Sequence, residues 1–242
     1  MTTYKLLKSG IKSRSDMKEL MDEENVDTDK LFRTLKQFKT VNRFFSGIHR
    51  VLSKTVLHYL RKNPSTHVIS IIDLGSGGCD IPFWLINQCR RMKQPIEVCA
   101  VDHDKRIISH IQQTCLRVPE LTFKLSSAKD ALMEKEYDFV ISNHFLHHLK
   151  NDEIGELLQL MNKKSRIGYV CNDLRRSRIA LLQFALVAPI LFRSSLTVVD
   201  GLRSICRGFT PKELNRWTTQ LTPTPQVSRV FPAHLCISKI KE

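Results

Sequence analysis

The segment IIDLGSGGCD, from Ile71 to Asp80, decides the fold. It joins an apolar, β-branched run to an acid, a glycine-rich turn and the first residue of a helix. Glycines let the backbone turn sharply and approach a ligand closely, and the first amides of a helix are free donors. The segment therefore predicts a strand–turn–helix unit with a ligand against its turn. Dinucleotide-binding enzymes use a similar turn, so the segment by itself leaves the ligand open.

Strands and helices alternate after this segment. Apolar runs predict strands at 67–74, 96–101, 121–125, 137–142 and 166–171, and the spacing predicts helices over about 105–116 and 152–161. Apolar runs without a polar period are typical of strands buried on both faces. This order predicts an α/β fold, namely a Rossmann-like, doubly wound and mostly parallel sheet.

The flanking regions predict a lid and a cap. Residues 1–65 predict a helical N-terminal lid, with helical patterns at 16–21 and 28–60, and residues 66–242 predict the main domain. An inserted helical cap is expected at about 174–210, where an apolar helix over 179–192 precedes a polar stretch. Thr210-Pro211-Lys212-Glu213 predicts the next helix through a capping box, and 227–240 could supply two final strands.

Composition limits the class of protein. The chain has 242 residues, of which 42% are hydrophobic, and this suits one domain with an added lid. We expect a cytoplasmic protein, because no apolar run reaches bilayer length and residues 1–10 contain no signal-peptide core. The seven cysteines are scattered without a C-x-x-C pair, which argues against a disulfide framework and a zinc site.

The net charge of +14 is uneven, with 14 Lys or Arg against 4 Asp or Glu from Met161 to Glu242. This surplus is compatible with a solvated basic surface, an acidic substrate, an anionic membrane face or nucleic acid. Charge alone does not choose between these partners.

Two further motifs lie at the ends of later strands. The run VCAVD, at 98–102, places Asp102 where an acid in nucleoside-binding α/β folds accepts hydrogen bonds from a ribose diol. We favour this role over a helix cap because the acid, the strand end and the glycine turn occur together. The run YDFVISNHFLHHL, at 137–149, ends a strand at Asn143 and continues into His147 and His148.

Together these motifs resemble the class I S-adenosylmethionine-dependent methyltransferases over about residues 67–173. More narrowly, GGCDIP, NDLRRSR and GFTPKEL resemble a bacterial subgroup that acts on polyketide or quinone-type small molecules. The resemblance implies S-adenosylmethionine as cofactor. It also implies that Asp73, Gly75, Gly77 and Gly78 line the methionine part of the cofactor, that Asp102 holds the ribose and that His103 lies beside the adenine.

The resemblance also implies cofactor contacts that this chain modifies. Ser127 and Ala128 stand where the family often has an acid on the adenine amine, and Cys79 replaces the third glycine of the turn. Asn143 would place its backbone near the sulfonium. Arg43, on the lid, would meet the cofactor's carboxylate, unless it lies on a solvated helix face.

For catalysis, the sequence offers His148 and Asp173 as a base or a substrate contact. A helix cap is an equal alternative for Asp173, and His147 or His148 could simply cap or pack. No metal-ligand cluster is evident, so we expect a metal-independent reaction.

The predicted function is methyl transfer to a small lipophilic or aromatic acceptor, on oxygen or carbon. The apolar run at 179–192 follows the fifth strand and would line or roof an apolar pocket. Nucleic acid is not the expected partner, whereas peripheral membrane contact and the oligomeric state stay open. The alternatives are a non-catalytic cofactor- or RNA-binding domain and an NAD-type oxidoreductase, although the latter would need glycine where Asp80 stands.

Overall fold

The computed structural model describes residues 11–114, 118–193 and 195–241. Two expectations concern residues outside this part. They are the absence of a signal-peptide core in residues 1–10 and the place of Cys115 among the scattered cysteines. Its strands form one seven-stranded sheet in the order β3-β2-β1-β4-β5-β7-β6. The strands are β1 (Ile69–Leu74), β2 (Ile96–Asp102), β3 (Leu121–Leu125), β4 (Tyr137–Asn143), β5 (Ser165–Leu174), β6 (Gln226–Val230) and β7 (His234–Ile240).

The sheet confirms the predicted Rossmann-like fold. Strands β1 to β5 pair in parallel, and β7 pairs antiparallel with both β5 and β6. Alternate residues of β1 enter different cores, since Ile71 packs with the lid side and Ile72 with the opposite face. The carboxyl ends of β1, β2, β4 and β5 therefore share one edge, where ligands of such sheets bind.

Ten α-helices surround this sheet in the described residues. They are α1 (Thr28–Phe44), α2 (Ile48–Lys54), α3 (Val56–Lys62), α4 (Asp80–Arg91), α5 (Lys105–Thr114), α6 (Ala128–Glu134), α7 (Asn151–Lys164), α8 (Arg178–Leu191), α9 (Thr197–Arg207) and α10 (Pro211–Thr218). Short 3₁₀ turns cover Leu20–Asp22 and Leu146–His148. None of these helices is long and apolar enough to cross a membrane.

The lid departs from the predicted helices. The pattern over 28–60 divides into α1, α2 and α3, because Gly47 adopts a left-handed φ of 69° where a Cβ would lie 2.5 Å from Val230. The predicted helix at 16–21 is wrong except for its 3₁₀ end. There the Asp200 carboxylate accepts the amides of Leu20 and Met21, at 2.6 and 3.0 Å, in place of helical carbonyls.

The sheet and the cap also differ from the sequence-based boundaries. β5 continues three residues beyond its predicted end, so Asp173 lies within the strand and pairs with Leu235 of β7. The predicted polar stretch before Phe209 contains helix α9. Its Gly201 lets it approach α8, since a Cβ there would lie 2.3 Å from the Phe184 ring. The capping box of α10 is confirmed, with Thr210 and Glu213 bonding each other's backbone amides.

Candidate functional site

A cavity of about 1050 Å³ opens at the carboxyl edge of the sheet. One part of its wall comes from strand ends and the first turn of α4, and contains three acids, Asp73, Asp80 and Asp102. The other part comes from the lid and cap helices and is largely apolar. Its apolar residues include Val41, Phe45, Phe184, Val187, Ala188 and Phe192. The cavity can therefore hold a polar ligand and an apolar one side by side.

The glycine turn is shaped by close contacts. Gly75 has a φ of 70°, and a Cβ there would lie 2.4 Å from the Phe145 ring. Gly77, with a φ of 47°, donates its amide to Oδ2 of Asp102 over 3.1 Å. Cys79 occupies the next left-handed position, with a φ of 55°. The turn thus tolerates a side chain at the predicted third glycine but not at Gly75.

Asp102 is held as a fixed acceptor on the cavity wall. Besides the Gly77 amide, the amide of Asp104 donates to its Oδ1 over 3.0 Å. Carboxylate oxygens have further lone pairs, so each can accept another bond from a ligand. Burial raises the pKa of Asp102. His103 is exposed beside it, with Nδ1 3.7 Å from Oδ1, and lines the same cavity.

The acidic wall disfavours the ionised form of its carboxyl groups. Burial, and then the neighbouring Asp80 and Asp102, raise the pKa of Asp73 well above its usual range. Burial likewise raises the pKa of Asp80. Among the described residues, no Lys or Arg forms an ion pair with Asp73 or Asp80. A cationic ligand would match this wall.

A chain of amide side chains connects the lid to the strand ends. Nδ2 of Asn42, on α1, donates to both carboxylate oxygens of Asp80 over 3.1 and 3.2 Å. Asn143 donates to Oδ1 of Asn42 over 2.9 Å, and Asn172 donates to Oδ1 of Asn143 over 2.8 Å. These bonds fix α1 against β4 and β5 and position Asn143 on the cavity wall.

A buried charge network lies beside the 3₁₀ turn at Leu146–His148. Nδ1 of His147 lies 2.7 Å from Asp173 and its Nε2 lies 3.1 Å from Glu19. Burial alone would lower the pKa of His147, but the two carboxylates raise it to about 9. Burial would raise the pKa of Glu19, yet His148 and His147 lower it to about 2. His147 is therefore a buried imidazolium between two carboxylates.

The two predicted catalytic residues have different surroundings. His148 lines the cavity and is half-buried, with Nδ1 3.2 Å from Oδ2 of Asp22 and Nε2 3.8 Å from Glu19. Asp173 is buried behind His147, and its oxygens accept the amides of His147 and Leu174. Although burial opposes it, the His147 charge lowers the pKa of Asp173. The structure thus places His148 on the wall and Asp173 behind it.

A pair of neutral histidines in the cavity was missed in the sequence. Nε2 of His144 lies 2.7 Å from Nε2 of His234, and the rings stack with centroids 4.8 Å apart. Burial lowers the pKa of His144 to about 4. His144 adopts a φ of 53°, which is uncommon outside glycine and turns its ring toward the cavity. His234 comes from β7, and no local pattern in the sequence links it to this site.

Four residues predicted to bind cofactor do not line the cavity. Arg43 is exposed, with its guanidinium 5.4 Å from the Phe44 ring. Ser127 caps α6 by accepting the amide of Asp130, and Ala128 packs into the core behind it. Gly78 faces α1, where a Cβ would lie 3.0 Å from the Leu35 carbonyl oxygen.

One set of donors could accept a cation. One atom each from Glu19, His147 and His148 lie within 4.8 Å of one another. The sequence gave no sign of this cluster because Glu19 lies far from the histidines along the chain. Both ring nitrogens of His147 already contact carboxylates, so the observed geometry is that of a hydrogen-bonded charge network.

Comparison with known proteins finds one matching family model and several solved structures with a similar fold. Residues 71–168 match the family model described as "Methyltransferase domain". No curated protein matches the chain in sequence. The plantazolicin methyltransferase BpumL, solved with a pentazolic desmethylPZN analog and SAH, is 14% identical, with a TM-score of 0.64. That match covers 89% of this chain and 94% of the other.

Two further solved structures share the fold. Magnesium protoporphyrin IX methyltransferase from Synechocystis PCC 6803, with bound SAH, is 13% identical with a TM-score of 0.53, covering 92% of this chain and 91% of that one. A putative O-methyltransferase from Nostoc punctiforme PCC 73102 is 12% identical with a TM-score of 0.59, covering 99% and 68%. At these identities the similarity establishes the fold.

Proposed function

We propose that this class I S-adenosylmethionine-dependent methyltransferase methylates a small lipophilic acceptor, such as a hydroxylated aromatic, on oxygen or carbon. The observation that carries the proposal is the divided wall of the cavity, with acids from the strand ends and the start of α4 on one part and apolar side chains from the lid and cap on the other. In a methyltransferase fold, the acidic part of the wall would bind the cofactor. The apolar part would bind the acceptor and so determine its chemical class.

The acidic part fits the cofactor. S-adenosylmethionine, when bound, supplies an electrophilic methyl group on a positively charged sulfur. Asp73, Asp80 and Asp102 lie on this wall, and no Lys or Arg of the described residues forms an ion pair with Asp73 or Asp80, which suits a ligand with a sulfonium and an ammonium group. Asp102 has acceptor capacity left for a ribose diol, and Gly75 and Gly77 line the same cavity. His103 and Asn143 complete this part of the wall.

The apolar part suits a lipophilic acceptor. Phe184, Val187 and Ala188 of α8 line the cavity together with Val41 and Phe45 of the lid region. Enclosure by these side chains would exclude water and align the acceptor with the methyl group, as an in-line displacement requires. In this proposal residues 1–65 act as the lid and about 174–210 as the cap.

His148 is the proposed base. If Nδ1–H of His148 donates to Asp22, its Nε2 keeps the lone pair needed to take a proton from a phenol or an activated carbon. Asp173 does not touch the acceptor in this scheme. It is a positioning residue that fixes His147, which in turn anchors Glu19 beside His148.

The function is tested by turnover. Purified protein is incubated with labelled S-adenosylmethionine and hydroxylated aromatics that carry alkyl chains of increasing length. We expect S-adenosylhomocysteine and methylated product in equal amounts, with kcat/KM rising with chain length. Binding of S-adenosylmethionine without turnover of any member would favour a non-catalytic binding domain. Methylation of RNA in preference to the aromatics would overturn the proposed acceptor.

The base is tested by substitution. His148→Gln should lower kcat by about 10²-fold or more and leave the Kd for S-adenosylhomocysteine within about twofold, because a general base contributes on this scale without holding the cofactor. His67→Gln is the matched control, since His67 is exposed. Full turnover by His148→Gln would remove His148 from the mechanism.

A further inference from the structure

Helix α8 presents an apolar face outward. Ile179, Leu186 and Ile190 are 69, 73 and 71% exposed, and Leu182 is 48% exposed. Their spacing of three and four residues places them on one stripe of the helix. Soluble monomers seldom expose a continuous apolar patch of this kind unless it binds a partner or a membrane. We call these four residues the α8 stripe.

The inward face of the same helix is already packed. Ala180, Leu181 and Ala188 are buried, and the helix lies on α9 through Leu202 and Ile205. Ser177 caps its N-terminus by accepting the amide of Ala180. The helix is therefore anchored to the protein by its inward face. The α8 stripe stays exposed within the part of the chain that the structure describes.

The sequence that contains α8 carries charge of one sign. From residue 175 to residue 199 the sequence contains four arginines and no Asp, Glu or Lys. Arg176 is buried in an ion pair with Glu213, so it is not available to a partner. Arg178 and Arg193 are exposed at opposite ends of α8. Cations at both ends of an apolar helix match anionic lipid headgroups around a hydrocarbon layer.

The same charges disfavour self-association through this face. A second copy that covered the α8 stripe with its own would pair two helices that each end in exposed arginines. Parallel or antiparallel pairing would bring arginines of the two copies together without an acid to separate them, which is unfavourable. A lipid surface has no such conflict.

The α8 stripe adjoins the cavity. Val187, on the same helix, lines it and is exposed, and so are Phe44 and Phe231. These aromatic side chains, 64 and 77% exposed, extend the apolar surface to the lid and to the turn before β7. Large apolar side chains at the edge of a cavity suit an opening that faces a nonaqueous phase.

We propose that the α8 stripe docks on an anionic lipid bilayer, with α8 lying in the plane of the interface and the cavity opening toward the lipid. Arg178 and Arg193 would contact headgroups while Leu186 and Ile190 enter the acyl boundary. Entry of an acceptor from the bilayer rests on the proposed function, whereas docking does not.

Docking is tested by sedimentation of the full chain with vesicles. Vesicles of phosphatidylcholine with phosphatidylglycerol are compared with phosphatidylcholine alone, at low and high salt. We expect binding to the anionic vesicles, at least about tenfold weaker binding to neutral ones, and weakening by salt. Equal binding to both, or none, would overturn the proposal.

Variants locate the surface. Leu186→Ser with Ile190→Ser should lower binding to anionic vesicles at least about tenfold, and Arg178→Gln with Arg193→Gln should remove the preference for anionic lipid. Met133→Ser is the matched control, because Met133 is a 59% exposed apolar residue on α6. Unchanged vesicle binding in the Leu186 and Ile190 variant would contradict the α8 stripe as the docking face.

Two measurements separate docking from its alternatives. Analytical ultracentrifugation tests for a dimer. A dimer that the Leu186 and Ile190 substitutions dissociate would show that a second copy of the chain, and not lipid, covers the α8 stripe. Calorimetry with S-adenosylhomocysteine reports the cofactor site independently. Vesicle binding with no methyl transfer would support docking and refute the proposed function. Methyl transfer with no vesicle binding would support the proposed function and refute docking.

Discussion

Asp73 lies at the end of β1 with its carboxyl group buried and no cation paired to it among the described residues. Because burial and two neighbouring acids raise its pKa, the ligand-free fold holds a proton at Asp73 more tightly than the unfolded chain does. The stability that this group contributes is present below its ordinary pKa and is lost as pH rises through the raised value. A bound cation would oppose that loss by stabilising the carboxylate.

The first prediction concerns the charge of the ligand at Asp73. As pH rises through the raised pKa of Asp73, affinity for S-adenosylmethionine should increase more steeply than affinity for S-adenosylhomocysteine, which lacks the sulfonium. Calorimetry in buffers of different ionisation enthalpy should detect greater proton release with S-adenosylmethionine. Asp73→Asn should abolish the difference between the two ligands. Identical pH profiles for both ligands would contradict the prediction.

At the same scale, the residues that could be predicted are those whose partners are close in sequence or at neighbouring strand ends. Gly75 and Asp102 were predicted to line the ligand site from a strand, an acid and a turn, and both lie on the cavity wall. Glu19 and His234 could not be predicted, because only tertiary packing brings them to His147 and His144. The adenine contact of Ser127 was predicted from the family resemblance alone. In the structure the Ser127 side chain instead accepts the amide of Asp130 and caps α6.

At the scale of elements, two arginines hold the 3₁₀ turn that carries the histidines. Arg207 of α9 donates to the carbonyl oxygens of His147, His148 and Met17 over 2.9 to 3.2 Å. Arg14 donates to the carbonyls of His147 and Leu149. The turn has few internal hydrogen bonds, so its position depends on these guanidinium groups. The cap thereby positions His148 through its backbone.

The second prediction concerns the three hydrogen bonds that the Arg207 guanidinium donates. Arg207→Lys keeps the charge but cannot reach three carbonyls at once, because an ammonium lacks the planar fork of a guanidinium. We expect a loss of about 3–6 kcal/mol in the free energy of unfolding, from the loss of two hydrogen bonds to a charged group. Denaturant titration measures it, and Arg203→Lys is the control, since Arg203 is half-buried and donates to one carbonyl. Equal stabilities for the two variants would show that the fork does not hold the turn.

Element boundaries could be predicted where backbone rules decide them. The capping box at Thr210 and the strand runs of β1 to β4 needed no tertiary information. The end of β5 and the helix α9 did need it. β5 extends because β7 pairs with it, and α9 forms in a serine- and glycine-containing stretch because one face packs on α8.

For the whole molecule, the Glu19–His147–Asp173 network joins three regions. Glu19 belongs to the N-terminal region, His147 follows β4, and Asp173 is in the sheet. Ser204 of the cap also donates to Glu19 over 2.5 Å. These groups are buried, so removing one leaves an uncompensated charge inside the protein. The packing of lid, cap and sheet therefore depends on the charge of one imidazole.

The third prediction is the pH dependence of stability that follows. The pKa of His147 in the fold is about 9, above its ordinary value, so its contribution is fully present below about pH 6.5 and is lost as pH rises through about 9. Urea unfolding should show a loss on the order of 3 kcal/mol across that window, from a pKa difference of about two and a half. His147→Gln should remove this part of the pH dependence, and His67→Gln should keep it. An imidazole signal of His147 that titrates near pH 6.5 by NMR would refute the raised pKa.

The sheet order has a consequence for how the protein behaves in concentrated solution. Its two outer strands, β3 and β6, are each only five residues long. Arg229 is exposed on β6, and Pro225 and Pro232 flank that strand and lack the amide needed to continue a ladder. Short, charged and proline-bounded edges resist the strand-to-strand stacking that leads to fibrils. If the protein precipitates, we expect the aggregate to retain native infrared and circular dichroism spectra, without the cross-β signal of a converted sheet.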